Sequence, residues 1–228
     1  MKTLATLLAT AAVTASAPGS LIITGVFDGP LPGGDPKGIE LYATSAIADL
    51  SVFGLETASN GGASGGAPEA SLPAVSLGAG EFYYISNSSD GDFTQWFGFA
   101  ADFQGPPGGA VNHNGDDVLL LYQDGIVIDS FGVLGVDGTG EPWETLDGWA
   151  YRNDGVTANG GAFDAGNWSF SGPNAWDGDD NFDGGRDNGT NATASPPFPA
   201  GTFQIPEPTS ALLGGIGLGL VLLLRRKK

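Results

Sequence analysis

The chain contains no cysteine, a single histidine and only eight lysines or arginines among 228 residues. The missing cysteine excludes disulfides, thiolate metal sites and a cysteine nucleophile. The one histidine, His113, leaves little room for a histidine-based zinc site. It lies in Val111-Asn112-His113-Asn114-Gly115 without a G-x-S-x-G elbow, and reads as a polar loop residue rather than a catalytic base. Positive charge is also concentrated where a folded body would not use it. Lys2, Arg225, Arg226, Lys227 and Lys228 all sit at the two ends. Between residues 18 and 205 only Lys37, Arg152 and Arg186 face 25 acidic residues, a net charge of −22. Such a surface repels phosphate backbones, so nucleic acid is not an expected partner.

What the sequence does have begins with its two ends. Met1 and Lys2 precede an apolar and small-residue run over 4–17. A positive start, a run of this length and terminal small residues make a secretory signal over 1–17. Ala15-Ser16-Ala17 offers an A-x-A site, yet Pro18 hinders a cut after Ala17. Cleavage after Ala15, with Val13 at the −3 position, is the better fit.

The other end reads Pro206-Glu207-Pro208, then sixteen uncharged residues over 209–224, then Arg225, Arg226, Lys227 and Lys228. As a helix the uncharged run spans about 24 Å, enough to reach across a bilayer when the arginines snorkel. The basic cluster stops transfer and holds that end in the cytoplasm. Both prolines disfavour helix in the residue before them, so the Pro-Glu-Pro segment should be extended and accessible. This three-part tail over 205–228 closely resembles the PEP-CTERM sorting signal of Gram-negative bacteria that make exopolysaccharide. The resemblance implies that a membrane-embedded exosortase recognises Pro206, Glu207 and Pro208 and removes the tail. Expected partners are therefore the secretion machinery, the exosortase and, before processing, the inner membrane. The final location is then the cell surface or extracellular matrix.

The body between the ends reads as strands separated by Gly, Pro and Asp, with almost no helix. Strands are expected over 21–27, 39–43, 50–55, 81–86, 148–152 and 167–171, with one helical turn over 92–99. The clearest unit is 117–131, where two apolar strands flank Asp124-Gly125, a pair suited to the positive φ angles of a type I′ hairpin turn. Its nearly unbroken first strand suggests a central position. Residues 59–67 read as a flexible Gly/Ser/Ala loop, and 184–204 as a linker. Many short strands with turn residues between them point to an all-β antiparallel sandwich, followed by a C-terminal hydrophobic helix.

Gly38-Ile39-Glu40-Leu41-Tyr42, Ala48-Asp49-Leu50-Ser51, Leu77-Gly78-Ala79-Gly80-Glu81 and Asn114-Gly115-Asp116-Asp117 carry a further resemblance. With Val127-Ile128-Asp129-Ser130-Phe131-Gly132, Trp143-Glu144 and Trp168, they resemble the bacterial lamin-tail domain, in that family's order. The resemblance implies an immunoglobulin-like sandwich over 18–183 that serves attachment rather than catalysis.

Four constellations bear on chemistry. Asp179, Asn181, Asp183 and Gly184 match positions 1, 3, 5 and 6 of a calcium loop, and Asp187 matches position 9. Thr190 replaces the bidentate Glu and Arg186 intrudes, so calcium binding there is expected to be weak, of millimolar class. Carboxylate pairs at glycosidase spacing arise in almost any sandwich with 26 acidic residues and single out no hydrolase. Arg152 is expected to play a structural role, pairing with a nearby carboxylate such as Glu144 or Asp147. Trp96, Trp143 and Trp176 are the loop candidates for stacking on sugars, whereas Trp149 and Trp168 read as core. The expected function is a non-enzymatic, exosortase-processed surface or matrix protein. A carbohydrate-binding module acting on exopolysaccharide is the first alternative and a secreted hydrolase the second.

Overall fold

The computed structural model describes residues 20–31, 33–87, 92–105, 109–177 and 196–206. They form two sheets face to face. The first has strand order β10-β9-β1-β2-β5-β6 and the second β4-β3-β7-β8. Along the chain these are β1 (Leu21–Asp28), β2 (Gly38–Ala43), β3 (Phe53–Ala58), β4 (Ala70–Ser71) and β5 (Phe82–Ser86). Then come the short helix α1 (Asp92–Phe97) and β6 (Phe103–Gln104), β7 (Val118–Gln123), β8 (Ile126–Phe131), β9 (Gly148–Arg152) and β10 (Trp168–Phe170).

Side-chain alternation explains the layering. Leu21, Ile23 and Val26 of β1, Ile39 and Leu41 of β2, Tyr83 and Ile85 of β5 and Ala150 of β9 face the second sheet. There they meet Phe53 and Leu55 of β3, Leu119 and Leu121 of β7 and Phe131 of β8. Burial of each such side chain stabilises by about 1.5–3 kcal/mol. The opposite face of the first sheet carries Ile22, Phe27, Trp149 and Tyr151, with Tyr42, Phe82 and Tyr84 packed alongside. That face is covered too, by Phe93 and Trp96 of α1, by Trp176 and by Phe203. All eight residues of β1 are therefore buried, which is why its sequence is almost wholly apolar instead of alternating.

The Asp124-Gly125 turn has φ values of 50° and 77°, as a type I′ hairpin requires, and β7 lies between β3 and β8. Several expectations change. The stretch 50–55 begins as a 3-10 turn over Leu50–Val52, capped by Asp49 Oδ1 accepting from Ser51 N at 2.9 Å, before β3 starts. The β5–β6 pair is parallel. The loop over 59–67 is pinned: Glu56 accepts from Ser64 Oγ at 2.7 Å and from Gly65 N at 2.5 Å, and Asp117 accepts from Asn60 N at 2.8 Å. The linker expected over 184–204 does not hold for its last part. Residues 196–204 lie on the aromatic face of the first sheet, with Phe203 only 2 % exposed. Among the described residues no helix is long and apolar enough to cross a membrane. The C-terminal hydrophobic helix expected over 209–224 lies outside the described residues.

Candidate functional site

The candidate site is built where the body meets the tail. Residues 196–206 form a strap across the outer face of the first sheet. Prolines at 196, 197 and 199 restrict the strap to extended backbone before it docks, which lowers the entropy lost on docking. At its start, Pro196 O accepts from the indole nitrogens of both Trp149 and Trp176, each at 2.9 Å. Phe198 then inserts its ring among Phe27, Phe97 and Tyr151, with centroids 5.2, 5.8 and 5.4 Å away. Gly25 below it has no side chain to occupy that space.

Past the ring, hydrogen bonds take over. Gly201 N donates to Glu40 Oε2 at 2.7 Å. Thr202 N and Phe203 N both donate to the Tyr151 hydroxyl, at 3.0 and 2.9 Å. That hydroxyl in turn donates to Glu40 Oε1 at 2.8 Å, where Thr24 Oγ1 also donates at 2.7 Å. Burial pushes the Glu40 carboxyl above its ordinary value, and the hydrogen bonds from Thr24, Gly201 and Tyr151 oppose that rise. Phe203 packs edge-on against Tyr42, 5.1 Å between centroids. Finally Gln204 is gripped from both sides. Its N–H donates to Asp154 Oδ1 at 2.8 Å and its carbonyl accepts from Gly155 N at 2.8 Å. Pro206, two positions on, is exposed and lies over Gly155.

The other sequence candidates fall elsewhere. Glu207, Pro208, the basic cluster Arg225, Arg226, Lys227 and Lys228, and the calcium candidates Asp179, Asn181, Asp183 and Asp187 lie outside the described residues. Among the described residues no three His, Asp or Glu side chains are grouped to hold a metal ion. Trp96, Trp143 and Trp176 are each at most 2 % exposed, so none is an exposed sugar platform. His113 is not a solvated loop residue either. It is 1 % exposed, its Nε2 lies 3.3 Å from Gly38 O, and burial lowers its pKa to about 4. Arg152 pairs with neither Glu144 nor Asp147. Its Nη2 lies 2.6 Å from Asp129 Oδ2, its Nε donates to Ile23 O at 2.6 Å, and its guanidinium sits 4.6 Å from the Trp168 ring centroid.

A second polar cluster closes one end of the sandwich. Lys37 Nζ donates to Asn114 Oδ1 at 2.6 Å and lies 3.6 Å from Asp28 Oδ1. Burial raises Asp28 to about 7 against the pull of Lys37, and raises Asp147 to about 6 with help from Asp177.

Sequence reasoning missed Glu40, Tyr151, Asp154, Phe198 and Phe203 as parts of the junction. The available signal was the pair of phenylalanines, since a solvated linker has no use for large apolar rings.

A folded body in a strongly acidic chain, followed in sequence by an apolar, basic-ended tail, defines an exported protein with a C-terminal sorting tail. The PEP-CTERM protein-sorting motif is found at residues 204–228, so the chain is an exosortase substrate processed at the membrane. The matched stretch starts at Gln204, the residue gripped by Asp154 and Gly155. No curated protein and no solved structure matches the chain.

Proposed function

We propose that the sandwich is a non-enzymatic structural or binding module, delivered to the cell surface or extracellular matrix by exosortase processing. One observation carries this reading. Glu40, Asp129 and His113, each at most 1 % exposed, are engaged in holding the fold. Glu40 holds the strap, Asp129 holds Arg152, and His113 meets the Gly38 carbonyl. A general acid or base needs access to a substrate proton, and these groups face protein instead. The two-sheet arrangement and the segments that resemble a lamin-tail domain support an immunoglobulin-like attachment role.

The test is fractionation of cells that produce the full chain together with an exosortase. The body should appear outside the cell without its tail, and purified material should hydrolyse no polysaccharide. Intact, soluble, intracellular chain with both ends retained would sink the export reading. Hydrolysis abolished by replacing one carboxylate would restore the enzyme alternative.

A second reading, binding of the cell's own exopolysaccharide, is favoured by a cleft of about 540 Å³. It is lined by Val75, Leu77, Glu81, Phe82, Tyr83 and Asp102, which combine apolar surface with carboxylates able to accept from sugar hydroxyls. Glycan-array binding that is lost on Asp102→Ala separates this role from a purely structural one.

A further inference from the structure

The strap ends on the first residue of the sorting motif, and the tail that follows gives little slack. Only Glu207 and Pro208 separate Pro206 from the uncharged run that begins at Thr209. Three Cα steps reach at most about 11 Å even when fully extended. With Gln204 held by Asp154 and Gly155, the folded body cannot stand off from the membrane before the tail is removed. A cut in this window is made either with the sandwich alongside the enzyme or after the strap has peeled away. Peeling would bare Phe198, Phe203 and Ile205, the aromatic face beneath them, and the buried carboxylate of Glu40.

We propose that the sandwich itself presents the motif: Glu40, Tyr151 and Asp154 are positioning residues for tail removal, and the sorting enzyme works against the docked body. The inference rests on the exosortase reading and adds to it. Pro206 reaches the enzyme at the end of a folded surface, with the Asp154–Gly155 turn beside it. A substrate segment already ordered loses less freedom when it binds, so clamping favours productive encounter. Asp154 touches none of the reacting bonds; it acts through the Gln204 backbone. The same geometry keeps residues up to Ile205 in the mature protein, because Phe198, Phe203 and Ile205 pack on its aromatic face.

The test compares tail removal in exosortase-producing cells, followed by pulse-chase, for the full chain and three variants. The first carries a Gly/Ser spacer of about a dozen residues between Ile205 and Pro206, which leaves the strap up to Ile205 and the Pro206-Glu207-Pro208 tripeptide intact but adds about 19 Å of mean reach. The others are Asp154→Ala and Asp154→Asn. The spacer is expected to slow tail removal by about tenfold, with the melting temperature of the body unchanged. Asp154→Ala slows removal in the same direction. Asp154→Asn, whose amide oxygen accepts the same N–H, restores the parent rate. Tail removal from the spacer variant at the parent rate or faster overturns the proposal. If the parent chain keeps its tail, or a Pro206→Ala/Glu207→Ala/Pro208→Ala triple variant loses it normally, the sorting reading itself fails. The two failures are thus distinct.

Discussion

Gly25 leaves the space that the Phe198 ring fills: a Cβ on Gly25 would lie 2.4 Å from Phe198 Cζ. A residue in the middle of the first strand is thereby matched to one that precedes Pro206 by eight positions. The relationship makes residues 196–206 part of the domain.

Gly25→Ala should overpack this contact at a cost of about 1–3 kcal/mol. Phe203→Ala, which removes a ring only 2 % exposed, should cost more, about 3–5 kcal/mol. Urea unfolding of the full chain checks both. Curves indistinguishable from the parent would mean that the strap does not pack on the sheet.

Asp129 accepts from Arg152 Nη2, Ile23 N and Asn159 N, at 2.6, 2.9 and 3.0 Å. Asp129→Ala leaves the guanidinium buried without its carboxylate and should destabilise by about 3–5 kcal/mol. A double-mutant cycle with Arg152→Met should show strong coupling, because the second change removes the orphaned charge. Additive losses would show the pair to be incidental.

Stability should also depend on pH at the Lys37 end of the sandwich. Asp28 rises from 3.8 to about 7 on folding, so its contribution is full below pH 3.8 and is lost as pH climbs through 7. Asp147 acts in the same sense up to about 6. His113 acts oppositely, since its fall from 6.5 to about 4 takes stability away as pH drops through that window. The Asp28 contribution is isolated by Asp28→Asn. The parent's melting temperature minus the variant's should fall steadily between pH 4 and 8. A difference independent of pH would show that Asp28 titrates as an ordinary carboxylate.

His113→Ala should cost about 1–3 kcal/mol, since it leaves the buried Gly38 carbonyl without the imidazole and opens a hole. Thermal unfolding measures the loss. A neutral result would return His113 to the role of a surface residue.

The strands were readable wherever apolar runs stood between turn residues. Val118–Gln123 and Ile126–Phe131, hinged on Asp124-Gly125, needed no tertiary information. The two-residue strands Ala70–Ser71 and Phe103–Gln104 were not readable, because two residues carry no period and only the neighbouring strand defines them. The tryptophans mislead for a related reason. Trp176 sits in polar surroundings in sequence and Trp96 in a short helical turn far from it, yet their rings pack 5.3 Å apart, tilted at 51°, on the far side of the first sheet. A sandwich read as two layers leaves no place for them, whereas this one has its second face covered. Asp129 shows what closer reading yields. A carboxylate in the middle of Ile126–Phe131 needs a buried cation, and Arg152 is one of three in the body. The junction was hidden because four of its eleven residues are proline, a linker-like composition, and the side chains that hold it lie twenty or more positions away along the chain.

The covering of the first sheet has a consequence for how the protein is made. Secretion delivers the amino-terminal strands first, so Ile22 and Phe27 arrive long before Phe198 and Phe203. Until residues 196–206 have crossed, the part of the aromatic face beneath Phe198 and Phe203 stays without its cover.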